Sequence, residues 1–178
     1  MVSIRCYRVA NIPDSFSLLL LETFEPAYIS GVKTLHLFAY FWLPPAIDFL
    51  TPMTALEVLE ITSNSLINFI YLLNGVDQPE CSFPHLKTLI WKPDAIVFAD
   101  VTSLVVNFLA TRRKIGMPIE LFDFTGWYMS LDVPVDTKML EEIPCLKVVW
   151  REEDDRLREY ICGSGRPQEL DAIRNPVW

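Results

Sequence analysis

Apolar residues recur along this chain in one spacing, with the first, fourth and sixth positions of a short segment hydrophobic and the rest polar or mixed. The sharpest copies are Leu86-Lys87-Thr88-Leu89-Ile90-Trp91, Val32-Lys33-Thr34-Leu35-His36-Leu37 and Leu56-Glu57-Val58-Leu59-Glu60-Ile61. Ile119-Glu120-Leu121-Phe122-Asp123-Phe124 is a fourth. Looser versions are Ile4-Arg5-Cys6-Tyr7-Arg8-Val9 and Leu146-Lys147-Val148-Val149-Trp150-Arg151, the latter without its last apolar position. First positions fall at 4, 32, 56, 86, 119 and 146, so the steps are 28, 24, 30, 33 and 27 residues. A period of that size argues for one short strand and one return element per unit. The expected fold class is α/β: a solenoid of about six irregular units, parallel strands on its concave face, helices and loops on its convex face.

The return segments carry helix signals of varying strength. After the first strand, Asp14 can cap a helix over Ser15 to Phe24, which Pro26 ends. The second return, Phe41 to Leu50, contains Pro44 and Pro45 and is too interrupted for a continuous helix; its aromatics are expected to fill a core gap. Leu66, Phe69, Ile70 and Leu73 sit at helical spacing within Ser65 to Leu73. Asp100 is placed to cap a helix over Val101 to Arg113, with Leu104, Val105, Phe108 and Leu109 as its inner stripe. The basic triplet Arg112-Arg113-Lys114 suits the negative end of that helix dipole. A phosphate or acidic-peptide site is the alternative reading of the triplet. A short helix capped by Asp136 and ended by Pro144 turns Met139, Leu140 and Ile143 inward. The acidic run from Glu152 to Asp155, with the i,i+4 pairs Glu152/Arg156 and Asp154/Arg158, predicts a capping helix over 152–162. Two regions follow: a repeat solenoid over 1–151, then a capping helix and tail over 152–178.

Side chains on a strand alternate faces, so if the fourth and sixth positions enter the core, the third, fifth and seventh face outward. Arg8, His36, Glu60, Ile90, Asp123 and Trp150 occupy the fifth position; Phe38, Thr62, Lys92 and Thr125 occupy the seventh. These ten residues are the expected partner-binding set. Phe38, Ile90 and Trp150 would act as apolar anchors, and the charged members would orient the partner. This column of mixed apolar and charged residues favours binding, while any one of them alone reads equally as the solvent side of a sheet. The register predicts Trp91 in the core and Ile90 on the outer face.

Composition narrows the class further. At 178 residues, half of them hydrophobic, the chain suits one folded body. A formal charge of −8 argues against a general nucleic-acid binder. Cys6, Cys81, Cys145 and Cys162 form no CxxC pair and only two histidines are present, so no metal is expected. The cysteines read as buried free thiols of a reducing compartment. The start of the sequence has no signal-peptide pattern, and the apolar stretch from Leu35 to Leu50 is broken by Pro44, Pro45 and Asp48, so a cytoplasmic or nuclear protein with no membrane partner is expected.

Catalytic patterns are absent. No GxSxG is present and no glycine-rich phosphate loop. Gly163-Ser164-Gly165-Arg166 follows its predicted helix rather than preceding one. His36 beside Glu60 and Asp123 is the one acid–base grouping the register could assemble, and a plain surface histidine explains it. The expectation is a protein that is not an enzyme and has no cofactor.

The L-x-x-L-x-L strands, with openings such as Phe83-Pro84-His85-Leu86-Lys87-Thr88-Leu89, Thr54-Ala55-Leu56-Glu57-Val58-Leu59 and Ile143-Pro144-Cys145-Leu146-Lys147-Val148, resemble leucine-rich repeats of the irregular, ribonuclease-inhibitor-like branch. Similar openings occur in the leucine-rich regions of fungal F-box-like proteins. The resemblance covers roughly residues 4 to 151 and departs from the family in lacking its Asn or Cys ladder, for which Asn64 is the nearest candidate. It implies a non-catalytic module that recruits a protein substrate for a ubiquitin ligase, a Skp1-type adaptor being engaged only where an F-box precedes the repeats. Ile12-Pro13-Asp14 echoes the opening of an F-box, but a repeat strand begins at Val32, before such a motif could be completed. The alternative function is a stand-alone repeat scaffold or regulatory binding protein without ligase coupling.

Overall fold

A computed structural model describes residues 2–7, 26–38, 50–74, 83–92, 101–126, 137–152 and 154–173. Seven strands form one sheet in strict chain order: β1 (Val2–Tyr7), β2 (Val32–Phe38), β3 (Val58–Thr62), β4 (Thr88–Lys92), β5 (Leu121–Asp123), β6 (Lys147–Arg151) and β7 (Leu157–Ile161). β1 to β6 are parallel neighbours, and β7 closes the sheet antiparallel to β6. Three α-helices are described: α1 (Pro26–Ile29), α2 (Ser63–Asn74) and α3 (Val101–Lys114). Two 3-10 helices, Thr137–Glu142 and Pro167–Ile173, complete the set.

The register makes the core. Leu35, Leu59, Leu89, Phe122, Val148 and Tyr160 stand side by side on consecutive strands and are all buried. Two residues on, Leu37, Ile61, Trp91, Phe124 and Trp150 form a second buried row. Against these rows pack Leu66, Phe69, Ile70 and Leu73 of α2 and Val105, Val106 and Leu109 of α3, with Leu104 and Phe108 partly buried beside them. Each Leu-sized side chain removed from water here contributes about 1.5–3 kcal/mol. As the register predicts, Trp91 is only 1 % exposed, and Ile90 is half-buried on the other face.

One turn recurs ahead of three strands. Met53, Phe83 and Ile143 are each buried, and the carbonyl of each accepts the amide of the residue three further on, Leu56 (3.1 Å), Leu86 (3.0 Å) and Leu146 (3.2 Å). The buried anchor and the tight turn together fix where each strand enters the sheet. Phe83 adopts a positive φ of 55° and Cys145, two residues after Ile143, one of 64°, conformations that most side chains avoid. Below the strands a row of main-chain bonds runs on: Glu57 to Lys33, Lys87 to Glu57, Glu120 to Lys87 and Lys147 to Glu120, the amide of the first residue of each pair donating to the carbonyl of the second at 2.8–3.0 Å. The side chains of the same row alternate in sign, with Lys33 paired to Glu57 at 2.6 Å and Lys87 to Glu120 at 2.8 Å. Opposite charges on adjacent strands support the register, each exposed pair by well under about 1 kcal/mol.

Several expectations are corrected. The segment 152–162 is not a capping helix: Glu152 and Asp155 make a turn and Leu157–Ile161 is a strand. Its apolar residues have helical spacing, but pairing with β6 satisfies that strand's otherwise unbonded edge, and tertiary pairing outweighs local preference. The Glu152/Arg156 pair forms at 3.6 Å without a helix, and Arg158 turns to Glu152 at 2.9 Å rather than to Asp154. Nor is 166–178 simply a tail, because Leu170 and Ile173 enter the same core as the sheet, and Thr137 Oγ1 donates to the Leu170 carbonyl at 2.9 Å. Pro26 begins a short helix, its missing amide being harmless at a first helical position. Thr137–Glu142 is a 3-10 helix in place of the expected short α-helix, with Leu140 and, just beyond it, Ile143 buried and Met139 partly so. The helix expected over 15–24, its cap Asp14, the aromatic return over 41–49 and the caps Asp100 and Asp136 lie outside the described residues.

The three basic residues at the end of α3 stand in different environments. Arg112 is 1 % exposed, and its guanidinium donates to the carbonyls of Phe83 (2.8 Å) and Met117 (3.2 Å) while lying 5.9 Å from the Phe108 ring. Burial pulls its pKa down to about 10. Arg113 and Lys114 are exposed. Cys162 is buried with its thiol pushed up to about 12 by desolvation, whereas Cys145 is exposed and not the buried thiol expected.

Candidate interaction face

The third, fifth and seventh positions of β2 to β5 share the face of the sheet opposite the helices. Pairing aligns His36, Glu60, Ile90 and Asp123 in one row, and Thr34, Val58, Thr88 and Leu121 in the row before it. The row after it holds Phe38, Thr62, Lys92 and Thr125, two residues beyond each member of the middle row. Eight of the ten expected binding residues therefore stand together: His36, Phe38, Glu60, Thr62, Ile90, Lys92, Asp123 and Thr125.

Trp150 does not stand among them, and Arg8 is not described there. β1 pairs Ile4 with Leu35 and Arg5 with His36, so the first unit is displaced by three residues, and exposed Arg5 occupies the place expected for Arg8. Arg8 itself lies outside the described residues. Trp150 is 5 % exposed and belongs to the core row. The reason is a one-residue contraction. Two residues separate Leu56 from Leu59, Leu86 from Leu89 and Ile119 from Phe122, but Lys147 alone separates Leu146 from Val148. A shift of one residue exchanges the faces of a strand, so Val149, not Trp150, pairs with Asp123 on the open face. The Trp150 indole N–H has no hydrogen-bond partner among the described residues.

Sequence reasoning also missed the last columns of the face. β7 pairs Ile161 with Lys147, Glu159 with Val149 and Leu157 with Arg151. These six residues extend the three rows. Leu157 and Ile161 are 59 % and 56 % exposed. The alternation Leu157, Glu159, Ile161 against Arg158, Tyr160, Cys162 is the strand signal that the helical ion-pair pattern obscured.

At one end of the face four side chains interlock. Glu60 is 7 % exposed, and its two carboxylate oxygens accept from His36 Nδ1 and Lys92 Nζ respectively. Burial pushes the Glu60 carboxyl up, but the hydrogen bonds from Lys92 and His36 outweigh it and hold the group below the usual carboxylate range. The Phe38 ring stands 6.2 Å from the His36 ring, and the Lys92 ammonium lies 5.6 Å from its centroid. Gly126 gives room for the lysine stem, since a Cβ there would lie 2.7 Å from Lys92 Cγ. Asp123 is not part of this cluster: Ile90 stands between it and Glu60, about 9–10 Å away at normal strand spacing. The acid–base grouping of His36 with both carboxylates is therefore not assembled. The assembled geometry can recognise a ligand through its charges, an aromatic ring and aliphatic surface.

Among the described residues no group of three or more His, Cys, Asp or Glu could hold a metal ion, and no described helix is long and apolar enough to cross a membrane. No family model matches the chain, and neither does any curated protein or solved structure.

Proposed function

We propose that this chain is a non-catalytic protein–protein interaction module that binds a partner polypeptide on the open face of its sheet. The observation that carries this reading is the alignment of eight predicted face residues across four parallel strands, half-buried or exposed apart from Glu60. Apolar Phe38 and Ile90 are interleaved there with Lys92, Asp123 and His36, the mixture that gives interfaces both affinity and orientation.

Within that reading, the chain is a leucine-rich-repeat solenoid whose open face is concave. The chain-order parallel sheet and the recurring turn before β3, β4 and β6 support it, as one supersecondary unit per repeat would produce both. The resemblance to F-box-like proteins makes these the substrate-recognition repeats of a ubiquitin-ligase subunit, in the cytoplasm or nucleus. Contact with a Skp1-type adaptor then requires an F-box upstream of the repeats.

Two measurements test the proposal. Affinity purification with the full chain is compared with Ile90→Arg, which blocks the face, and with Lys87→Glu, which alters the exposed charge row at the strand entries. Loss of the same partners from the first variant alone is expected, and identical recovery by both overturns the face. Co-precipitation with a Skp1-type adaptor, for the chain and for the product of any upstream coding sequence, tests ligase coupling. Failure of both leaves the stand-alone scaffold as the function.

A further inference from the structure

The carboxylates of the open face are not equivalent. Glu60 is paired with Lys92 and His36, and Glu159 with Lys147 at 2.5 Å. Asp123 has no ion pair among the described residues; its Oδ1 accepts the Thr125 amide at 2.7 Å, which fixes the side chain and leaves Oδ2 available. The segments of sequence that leave β4 and β5, residues 93–100 and 127–136, contain Asp94, Asp100, Asp132 and Asp136 and no Lys, Arg or His. Outside the described residues the basic side chains are Arg8 and Arg174. In sequence Arg8 follows β1, a strand four places and about 19 Å from β5 in the sheet, and Arg174 follows Ile173, which packs in the core on the other face.

Aliphatic side chains frame this carboxylate. Ile90 and Val149 are its partners on the two adjacent strands, and Leu121 is its neighbour on the same face of β5. Val149 is 8 % exposed, so of the three it offers the least surface, and Ile90 and Leu121 are half-buried. We propose that Asp123, Ile90, Leu121 and Val149 form a subsite for one lysine or arginine side chain of a partner polypeptide, the aliphatic stem lying on the three apolar residues and the cationic head on Asp123 Oδ2. This rests on the open-face reading above. A cation with an apolar stem satisfies both halves of the site, and the chain's net charge of −8 favours a basic segment at longer range.

The test selects binders of the full chain from a random twelve-residue phage-displayed peptide library and measures their synthetic forms by fluorescence anisotropy. Enriched peptides are expected to share one Lys or Arg beside aliphatic or aromatic residues. Asp123→Asn, which keeps the acceptor for Thr125, is expected to weaken binding at least tenfold, and Glu159→Gln less than twofold. Peptides that lose binding to Ile90→Arg but bind Asp123→Asn within twofold of the parent overturn the subsite and leave the open-face reading standing. Peptides indifferent to both substitutions, or no enrichment, overturn both. Circular dichroism of each variant excludes loss of fold as the cause.

Discussion

The indole N–H of Trp91 donates to Ser63 Oγ at 3.1 Å, tying the core row of β4 to the first residue of α2, 28 positions earlier in the chain. Ser63 is fully buried, and Trp91 also stacks on Phe122, with ring centroids 6.1 Å apart and planes 4° from parallel. One side chain thus joins α2, β4 and β5. Trp91→Phe is expected to lower stability by about 1–3 kcal/mol, from the lost hydrogen bond and the smaller ring. Urea unfolding of Trp91→Phe, Ser63→Ala and the double variant checks the link. A coupling energy near zero would show that the bond contributes nothing.

Glu60 sets a pH dependence whose sign follows from its environment. Its folded pKa lies below the ordinary 4.5, so its contribution is fully present above that value and is lost as pH falls through the folded pKa. Glu57, bonded to Lys33, shifts in the same direction. Glu60→Gln is expected to cost about 2 kcal/mol at neutral pH and to flatten the acid limb of stability below about pH 5. Parallel acid limbs for the two proteins would refute the assignment.

Arg112 and Arg113 are adjacent in sequence and opposite in consequence. Arg112→Ala removes the donor to the Phe83 and Met117 carbonyls and opens a void beside Phe108; a loss of about 2–4 kcal/mol is expected. Arg113→Ala, on the exposed side, should stay within about 0.5 kcal/mol of the parent. Thermal unfolding of both variants in one buffer makes the comparison.

Tyr160 closes the end of the sheet. Its hydroxyl donates to Glu141 Oε2 at 2.8 Å and accepts the Arg166 amide at 3.0 Å, while Glu141 Oε1 takes the Gly165 amide at 2.8 Å. Tyr160→Phe is expected to cost about 1–2 kcal/mol and to speed amide hydrogen exchange at Gly165 and Arg166 more than at Leu89. Uniform acceleration across the protein would mean that the closure is not a local lock.

The sequence determined a good part of this protein by itself. Where two polar or mixed residues separate the first and fourth positions, as from Leu56 to Leu59 and Leu86 to Leu89, the period-two alternation fixed which side chains enter the core, because a strand offers only two faces. The helical stripe of Leu66, Phe69, Ile70 and Leu73 was equally legible. Tertiary structure decided the rest. The displacement of β1 that brings Arg5 beside His36, and the contraction that sends Trp150 inward, are properties of pairing between strands, which no single segment encodes. The segment 157–161 carried helical ion-pair spacing and became a strand because β6 offered it a free edge. The Glu60 cluster and the lone Asp123 likewise follow from which strands are neighbours: Ile90 stands between the two carboxylates, leaving one clasped by His36 and Lys92 and the other framed by aliphatic side chains.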